Sequence, residues 1–586
     1  MRTKILFSIL LLQLLSYATS CNGSASIAVP AVVGDGSGLV IISIRIIPGS
    51  GEVFLSTFPQ TGTSTQESVD DAAQYAFKKY GERNCDAVVS INTSGSAGYV
   101  DGPSAGAAFT VLTYGALEGL EPRKDAIITG TVEPNGEVGP VGGMYEKALA
   151  AVSSGAKYFV VPQRTFFDVL LLRNLASSYG LHVVEITSVD EAIDFMLHNK
   201  SITSQPFERK PEPVPDLDSY DTSGMESFGD IAARMISIEK QVVDNLPETD
   251  NESASIKSYF RSSIERQQTI RGKGYFFTAA NDAFLDYIQV STISAILTEK
   301  SDLDTKKKDV LDCLESLPEI NKTDGNFEWV VGSDLRKVWA INRLNITDTA
   351  KPKLQEEKYL VYNELMYSDA WCSVSKVLSE NAQPSGKKIN ESSWKPLAEA
   401  KIEEAVQMQV TDADLKERLL SAKTSFENGK YGASIFDSTY VIEMSNASKE
   451  MVGMSPEELE GQIQLMLNEK RNSLWGKVYQ AHGAFLSSKN VSELGSAFRI
   501  LRYARAIDSV TAAMSKIAVP QPSTTEEQIA SSPITQRALL LVSTFLIITV
   551  LLLYIATRAP HQGRFYGTDS QGKRYRGIPG AGKKQG

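Results

Sequence analysis

The sequence predicts an α+β domain near the N-terminus, a mainly α-helical domain after it and one C-terminal transmembrane helix. Three observations carry this. Over residues 33–200, β-branched runs alternate with stretches of helical periodicity. After a segment rich in Pro, Ser and charge, about 300 residues read almost entirely as helices, and all five tryptophans lie there. Near the C-terminus, residues 538–557 contain no charge and are flanked by Arg537 and Arg558, enough to cross about 30 Å of hydrocarbon. The boundaries that follow are 1–20 for a signal peptide, 33–200 for the α+β domain and 201–222 for a Pro-rich linker. They continue with 223–518 for the helical domain, 519–536 for a second linker, 538–557 for the span and 558–586 for a basic tail.

Within the first domain, residues 39–47 and 52–56 flank Pro48-Gly49-Ser50-Gly51 and read as a hairpin. Ser64-Thr65-Gln66-Glu67 has the form of a capping box, with Val69, Ala73, Ala76, Phe77 and Tyr80 at helical spacing behind it. A strand over 86–91 leads to Asp101-Gly102-Pro103-Ser104, and the apolar run 105–120 reads as a buried helix. A strand over 126–129, a turn at Pro134-Asn135-Gly136 and a helix over 144–153 follow, and further alternation to about residue 198 completes the unit. In the second domain helices are expected over 276–300, 353–378, 412–427, 456–486 and 494–517. Residues 422–433 suggest a helical hairpin, but no repeat period is visible.

Composition sets bounds. A net charge of −11 and pI near 5.2 argue against nucleic-acid binding. Arg2 and Lys4 before an apolar run over 5–17 and Ala18-Thr19-Ser20 form a signal-peptide pattern, with cleavage expected before Cys21. The tail beyond the span is basic, which predicts a cytoplasmic C-terminus, an ectodomain outside and a single-pass cell-membrane protein. Sequons at Asn22, Asn92, Asn199, Asn251, Asn321, Asn345, Asn390, Asn446 and Asn490 fit a glycoprotein. Of the four cysteines, Cys313 and Cys372 are candidates to pair in an oxidising compartment, and Cys85 reads as a small buried side chain. No Cys/His cluster has zinc spacing, so neither metal nor cofactor is expected. No Gly-x-x-x-x-Gly-Lys-Ser/Thr occurs, so no nucleotide is expected either.

Ser104 follows a tight turn and precedes a helix, where free N–H groups favour developing negative charge. Alone it reads as an N-cap. A serine nucleophile needs a base, and the histidines, His182, His198, His482 and His561, all follow Ser104, so two common triad orders fail. A lysine is the remaining common base, and Lys147 stands near the start of the helix over 144–153. To work near neutral pH its pKa must fall to roughly 7 or 8, which costs the charged form ~4 kcal/mol. The helix terminus supplies ~1 or 2 kcal/mol. Burial must supply the rest, so a dry pocket around Lys147 is required.

Asp101-Gly102-Pro103-Ser104-Ala105-Gly106, together with Thr129-Gly130 and Pro140-Val141-Gly142-Gly143-Met144-Tyr145-Glu146-Lys147, resembles the Lon-type serine protease domain. The resemblance extends upstream to 38–44 and to Gln66-Glu67-Ser68. It implies Ser104 as nucleophile, Lys147 as base and Thr129 as the hydroxyl that orients the lysine amine. Asp101, Gly102, Pro103 and Gly106 form the surrounding structural loop. Where relatives often carry histidines on the strand before the loop, this chain has Ser90-Ile91-Asn92. The expected function is an ATP-independent, membrane-anchored serine endopeptidase acting on unfolded or flexible extracytoplasmic proteins. A homo-oligomeric ring is implied by the resemblance alone. The competing expectation is a non-enzymatic membrane scaffold or receptor that binds partners through the helical domain.

Overall fold

A run such as Val40-Ile41-Ile42-Ser43-Ile44-Arg45-Ile46 can hide only every second side chain in a sheet. In a computed structural model of the chain, Val40, Ile42, Ile44 and Ile46 are buried while Ile41 and Arg45 face outward. The structure describes residues 21–518, except 34–35, 57–59, 82–83, 94–98, 204, 411 and 490. The expected signal peptide, transmembrane span, second linker and basic tail lie outside these residues.

The first domain runs β1 (Ser24–Val33), β2 (Gly36–Pro48), β3 (Val53–Leu55), β4 (Gln60–Thr61), α1 (Thr63–Tyr80), β5 (Cys85–Thr93) and β6 (Tyr99–Val100). It continues with α2 (Gly106–Glu118), β7 (Ala126–Ile128), β8 (Thr131–Val132), β9 (Val138–Gly139) and α3 (Met144–Ser153), then β10 (Tyr158–Pro162), α4 (Phe166–Tyr179), β11 (His182–Ile186) and α5 (Val189–Met196). One sheet has the order β1-β2-β5-β3, and a second, all-parallel sheet the order β11-β10-β7. Of two further short ladders, β4 with β6 and β8 with β9, β6 stands just before the Ser104 loop and β8 just after the Thr129-Gly130 pair.

The expected hairpin over 39–56 does not form. β5 inserts between its two arms, antiparallel to β2 and parallel to β3. Asp86 is the local cause: its Oδ1 accepts the N–H groups of Ser50, Gly51 and Glu52 at 2.7, 2.9 and 2.9 Å, pinning the turn over the start of β5. These bonds, from Glu52 first, hold the Asp86 carboxyl below its ordinary range. The expected capping box is also absent, since α1 starts at an N-cap of Gly62 with no side-chain cap.

The helical region contains α6 (Glu226–Asp244), α7 (Asn251–Gly272), α8 (Phe276–Leu297), α9 (Leu303–Ser316), α10 (Phe327–Thr349) and α11 (Gln355–Asn381). It ends with α12 (Lys395–Gln407), α13 (Ala413–Glu427), α14 (Tyr431–Met451), α15 (Pro456–Leu467), α16 (Leu474–Ser487) and α17 (Leu494–Ala518). The helix expected over 456–486 is thus two, broken after Leu467. The two regions share one core: Met144, Tyr145 and Ala148 of α3 and Phe166, Leu170 and Leu171 of α4 cluster with Met235, Phe260 and Ala283. The Pro-rich segment between them is held down along this seam. Phe207 stacks on Phe166 with ring centroids 6.2 Å apart, and Arg209 pairs with buried Glu185 at 2.7 Å.

Phe260 is fully buried in this seam, against Phe166 and Tyr259. Phe260→Ala is expected to lose about 3–5 kcal/mol. Because the core is continuous, denaturant titration should show one earlier transition for both regions. A split into two transitions would show that the seam does not couple them.

The transmembrane and single-pass expectations require correction. Among the described residues no helix is long and apolar enough to cross a membrane. The longest, α11 with 27 residues, carries Glu356, Glu357, Lys358, Glu364, Asp369, Lys376 and Glu380 along its length; its apolar positions serve a protein core. The single-pass localisation, which rested on a span at 538–557, is therefore not supported by the described residues.

Cys313 and Cys372 form the expected disulfide, with Cα atoms 6.4 Å apart. Cys85 is not a free buried thiol. It pairs with Cys21 at a Cα separation of 5.5 Å and ties the start of β5 to the residues before β1.

Candidate active site

The Ser104 loop is shaped by its carbonyls. Thr65 Oγ1 donates to the Gly102 carbonyl at 3.3 Å and Ser68 Oγ to that of Pro103 at 3.2 Å, both from α1. The Ser104 carbonyl accepts from Thr129 Oγ1 at 3.0 Å and from the Gly130 N–H at 2.8 Å. Ala107 N–H completes the clasp on Gly130 O at 3.0 Å, and Thr129 N–H bonds to Val160 O of β10. In a trans peptide the N–H points opposite the preceding C=O. Turning the Pro103 and Ser104 carbonyls inward therefore turns the Ser104 and Ala105 N–H groups the other way. Among the described residues neither N–H donates to a backbone acceptor. That is the donor pair an oxyanion needs.

Two glycines are required by the geometry. Gly102, at φ +124°, makes the turn before Ser104. A Cβ on Gly106 would stand 3.1 Å from Ser68 Oγ and from the Val132 N–H nitrogen, in the crowded space where α2 begins. Asp101 accepts the Gly102 N–H at 2.9 Å, and a Cβ on Gly62 would meet its carboxylate at 2.1 Å. Pro103 is exposed, and Ser104 is half-buried two residues ahead of α2, whose N-cap is Ala105. Ser104 is therefore not the capping residue.

Lys147 lies in the first turn of α3, which the left-handed Gly143, φ 64°, launches out of the Gly142-Gly143 turn. It is 4% exposed and pairs with no carboxylate among the described residues. Burial pushes its amine down to about 8, against a smaller opposing pull from Glu146. The dry pocket required on chemical grounds is present. Thr129 is 1% exposed, but its hydroxyl proton goes to the Ser104 carbonyl, so toward Lys147 it can act only through its lone pairs. Ser104 Oγ and Lys147 Nζ are not hydrogen-bonded to each other.

Residues 24–199 match the Lon protease (S16) C-terminal proteolytic domain. The Lon protease of Chloroflexus aggregans is 30% identical over 163 residues, 27% of this chain and 20% of that protein. That of Azospirillum brasilense is 28% identical over 190 residues, 30% and 22% of the two chains. That of Haemophilus influenzae is 36% identical over 100 residues, 17% and 12%. These matches bear out the expected Lon-like serine peptidase domain. The chain spans about a fifth of the length of the first two relatives.

Around the Lon-like domain's loop the field is acidic. Burial and then Asp71 push the Glu67 carboxyl up, with Arg499 of α17 opposing and Asp101 adding to the rise. Burial and then Glu493 do the same to Glu133. The charges of Arg499 and Glu493, from the helical region, are thus felt at Glu67 and Glu133. The roles of Thr65 and Ser68 go beyond the sequence reading, in which Ser64 and Glu67 carry the capping box; three-residue spacing on one face of α1 is the signal that points to them. Among the described residues no group of three or more His, Cys, Asp or Glu side chains could hold a metal ion.

Proposed function

We propose that the Lon-like domain is a serine endopeptidase that hydrolyses peptide bonds in unfolded or flexible protein chains, with Ser104 as nucleophile and Lys147 as base. The observation that carries this is Lys147: a lysine buried without a carboxylate partner, its amine lowered to about 8, is costly to a fold and useful to a base. Substrate closes the gap between the two side chains. Lys147 takes the Ser104 hydroxyl proton as Oγ bonds to the scissile carbonyl carbon, and the Ser104 and Ala105 N–H groups hold the oxyanion. The proton passes to the leaving amine as the C–N bond breaks. Water, deprotonated by the same lysine, then releases the new carboxylate and returns the proton to Ser104.

Thr129 fixes the Ser104 backbone and offers a lone pair to the amine. The sequence contains no phosphate-binding loop, which supports turnover without ATP. The two disulfides suit an oxidising compartment, which supports extracytoplasmic substrates. The test is cleavage of unfolded casein by the full chain. Ser104→Ala is expected to lower the rate on the order of 10⁴-fold or more while leaving the melting curve in place, and ATP is expected to change nothing. A folded Ser104→Ala chain that cleaves at the parent rate rejects the reading.

A further inference from the structure

Within the helical region, α6, α8, α10, α11, α13, α14, α16 and α17 enclose a cavity of about 240 Å³, on the order of eight waters by bulk volume. Nearly half of the residues around it are aromatic, Trp339, Trp371 and Trp475 among them. Such a wall suits an apolar body, but the charges in it do not balance. Asp437, 1% exposed, accepts Trp339 Nε1 at 3.0 Å and pairs with Arg418 at 3.4 Å, so its charge is already matched. His482 is held neutral, burial pushing it down to about 4, and it shares a hydrogen bond with Thr278 at 2.9 Å.

Arg336 feels the Asp437 charge only from beyond ion-pair distance. It is 5% exposed, and its guanidinium lies 4.9 Å from the Trp339 ring centroid and 4.6 Å from that of Trp475. Its Nε has no hydrogen-bond partner, and Nη1 reaches only the Gly332 carbonyl at 3.4 Å. Among the described residues no carboxylate stands within ion-pair distance of it. Ring stacking offsets part of the cost of burying a guanidinium and leaves its in-plane donors unused. Those donors match one thing well, a carboxylate taken two-pronged. The half-buried Arg418, Tyr440, Tyr479 and Ile500 form part of the wall and leave a way in.

We infer that this cavity binds a carboxylate carried on a phenyl-sized apolar body, with Arg336 as the anion's partner and the tryptophan walls around the body. Two sources share that chemistry: a free arylalkanoic acid, and the C-terminal residue of a peptide ending in a large apolar side chain. The site is separate from the Ser104 loop and stands whether or not the domain hydrolyses peptides.

The wall tryptophans supply the readout. The full chain carrying Ser104→Ala is titrated with 3-phenylpropionate and its amide, and with a short peptide ending in Phe as free acid and as C-terminal amide, while tryptophan emission is followed. Saturable binding of at least one acid is expected, with its amide weaker by about thirtyfold or more. Arg336→Met, which keeps the apolar stem, should erase the difference without lowering the melting temperature, since it removes a buried unpaired charge. Arg336→Lys should keep part of the preference. Binding of the free acid identifies a small-molecule source, and binding of the peptide acid alone identifies a chain terminus. Failure of both acids to saturate, or amides as tight as acids, overturns the inference on the unsubstituted cavity, even if Arg336→Met does not fold. A purely stacking role for Arg336 would leave the acid preference unchanged in a folded Arg336→Met chain, and that also overturns it.

Discussion

Lys147→Met is expected to abolish casein hydrolysis and to make the protein more stable. Both effects come from one cause. Burial lowers the folded amine to about 8 from the ordinary lysine value of 10.5, so the native state binds the proton less tightly than the unfolded chain. The resulting penalty is fully present below pH 8, shrinks as pH rises, and is gone above about 10.5. Its size is roughly 3 kcal/mol at most. Met keeps the packed stem and removes the charge, so denaturant unfolding at pH 7 should show a gain toward that size, and at pH 10 very little. In the parent enzyme the same number sets the rate profile. The base must be neutral, so kcat/KM should climb about tenfold per pH unit below 8 and level off above it. Full activity in a folded Lys147→Met chain would remove Lys147 from the mechanism, and equal stability at both pH values would show that its charge is solvated.

The second large effect lies far from the loop. Glu239 of α6 is fully buried, and neither carboxylate oxygen has a hydrogen bond of good geometry. Burial, then the Asp286 charge, pushes its carboxyl up to about 10, against a smaller opposing contribution from Gln267. Burial likewise carries Asp286 up to about 7, although Ser263 and Gln267 donate to it. A raised folded pKa means that the native state keeps a proton the unfolded chain gives up above about 4.5. Stability from this group is therefore complete in acid and declines between pH 4.5 and 10. The loss is on the order of 3 kcal/mol by pH 7 as an upper figure. Glu239→Gln does not titrate. It should match the parent at pH 4.5, exceed it at pH 7 and exceed it further at pH 8.5, by denaturant titration at each pH. Parallel pH profiles for the two chains would mean that Glu239 is hydrated in the native state.

Local chemistry was legible in the residues themselves. The Asp101-Gly102-Pro103 turn, the alternation through Ile46 and the helix Met144–Ser153 each depend on neighbours a few positions away, and such preferences are written in short windows. The need to bury Lys147 followed from what a base requires, and Cys313 with Cys372 followed from compartment and composition. Tertiary structure alone decided the rest, because the partners are remote in the chain. β5 enters between β2 and β3 because Asp86 gathers three N–H groups more than thirty residues upstream. Thr65, inside the expected capping box, and Ser68, just behind it, spend their hydroxyl protons on carbonyls 37 and 35 residues away. The Pro-rich segment becomes a fastened strap only because Phe166 and Glu185 wait for Phe207 and Arg209. Arg336, on sequence one more charge on a helix, is left inside without an ion-pair partner because Trp339 of its own helix and Trp475 of another cover it and Asp437 pairs with Arg418 instead. Pairings of that kind need loops tens to hundreds of residues long to close first, and no local window records which closure wins.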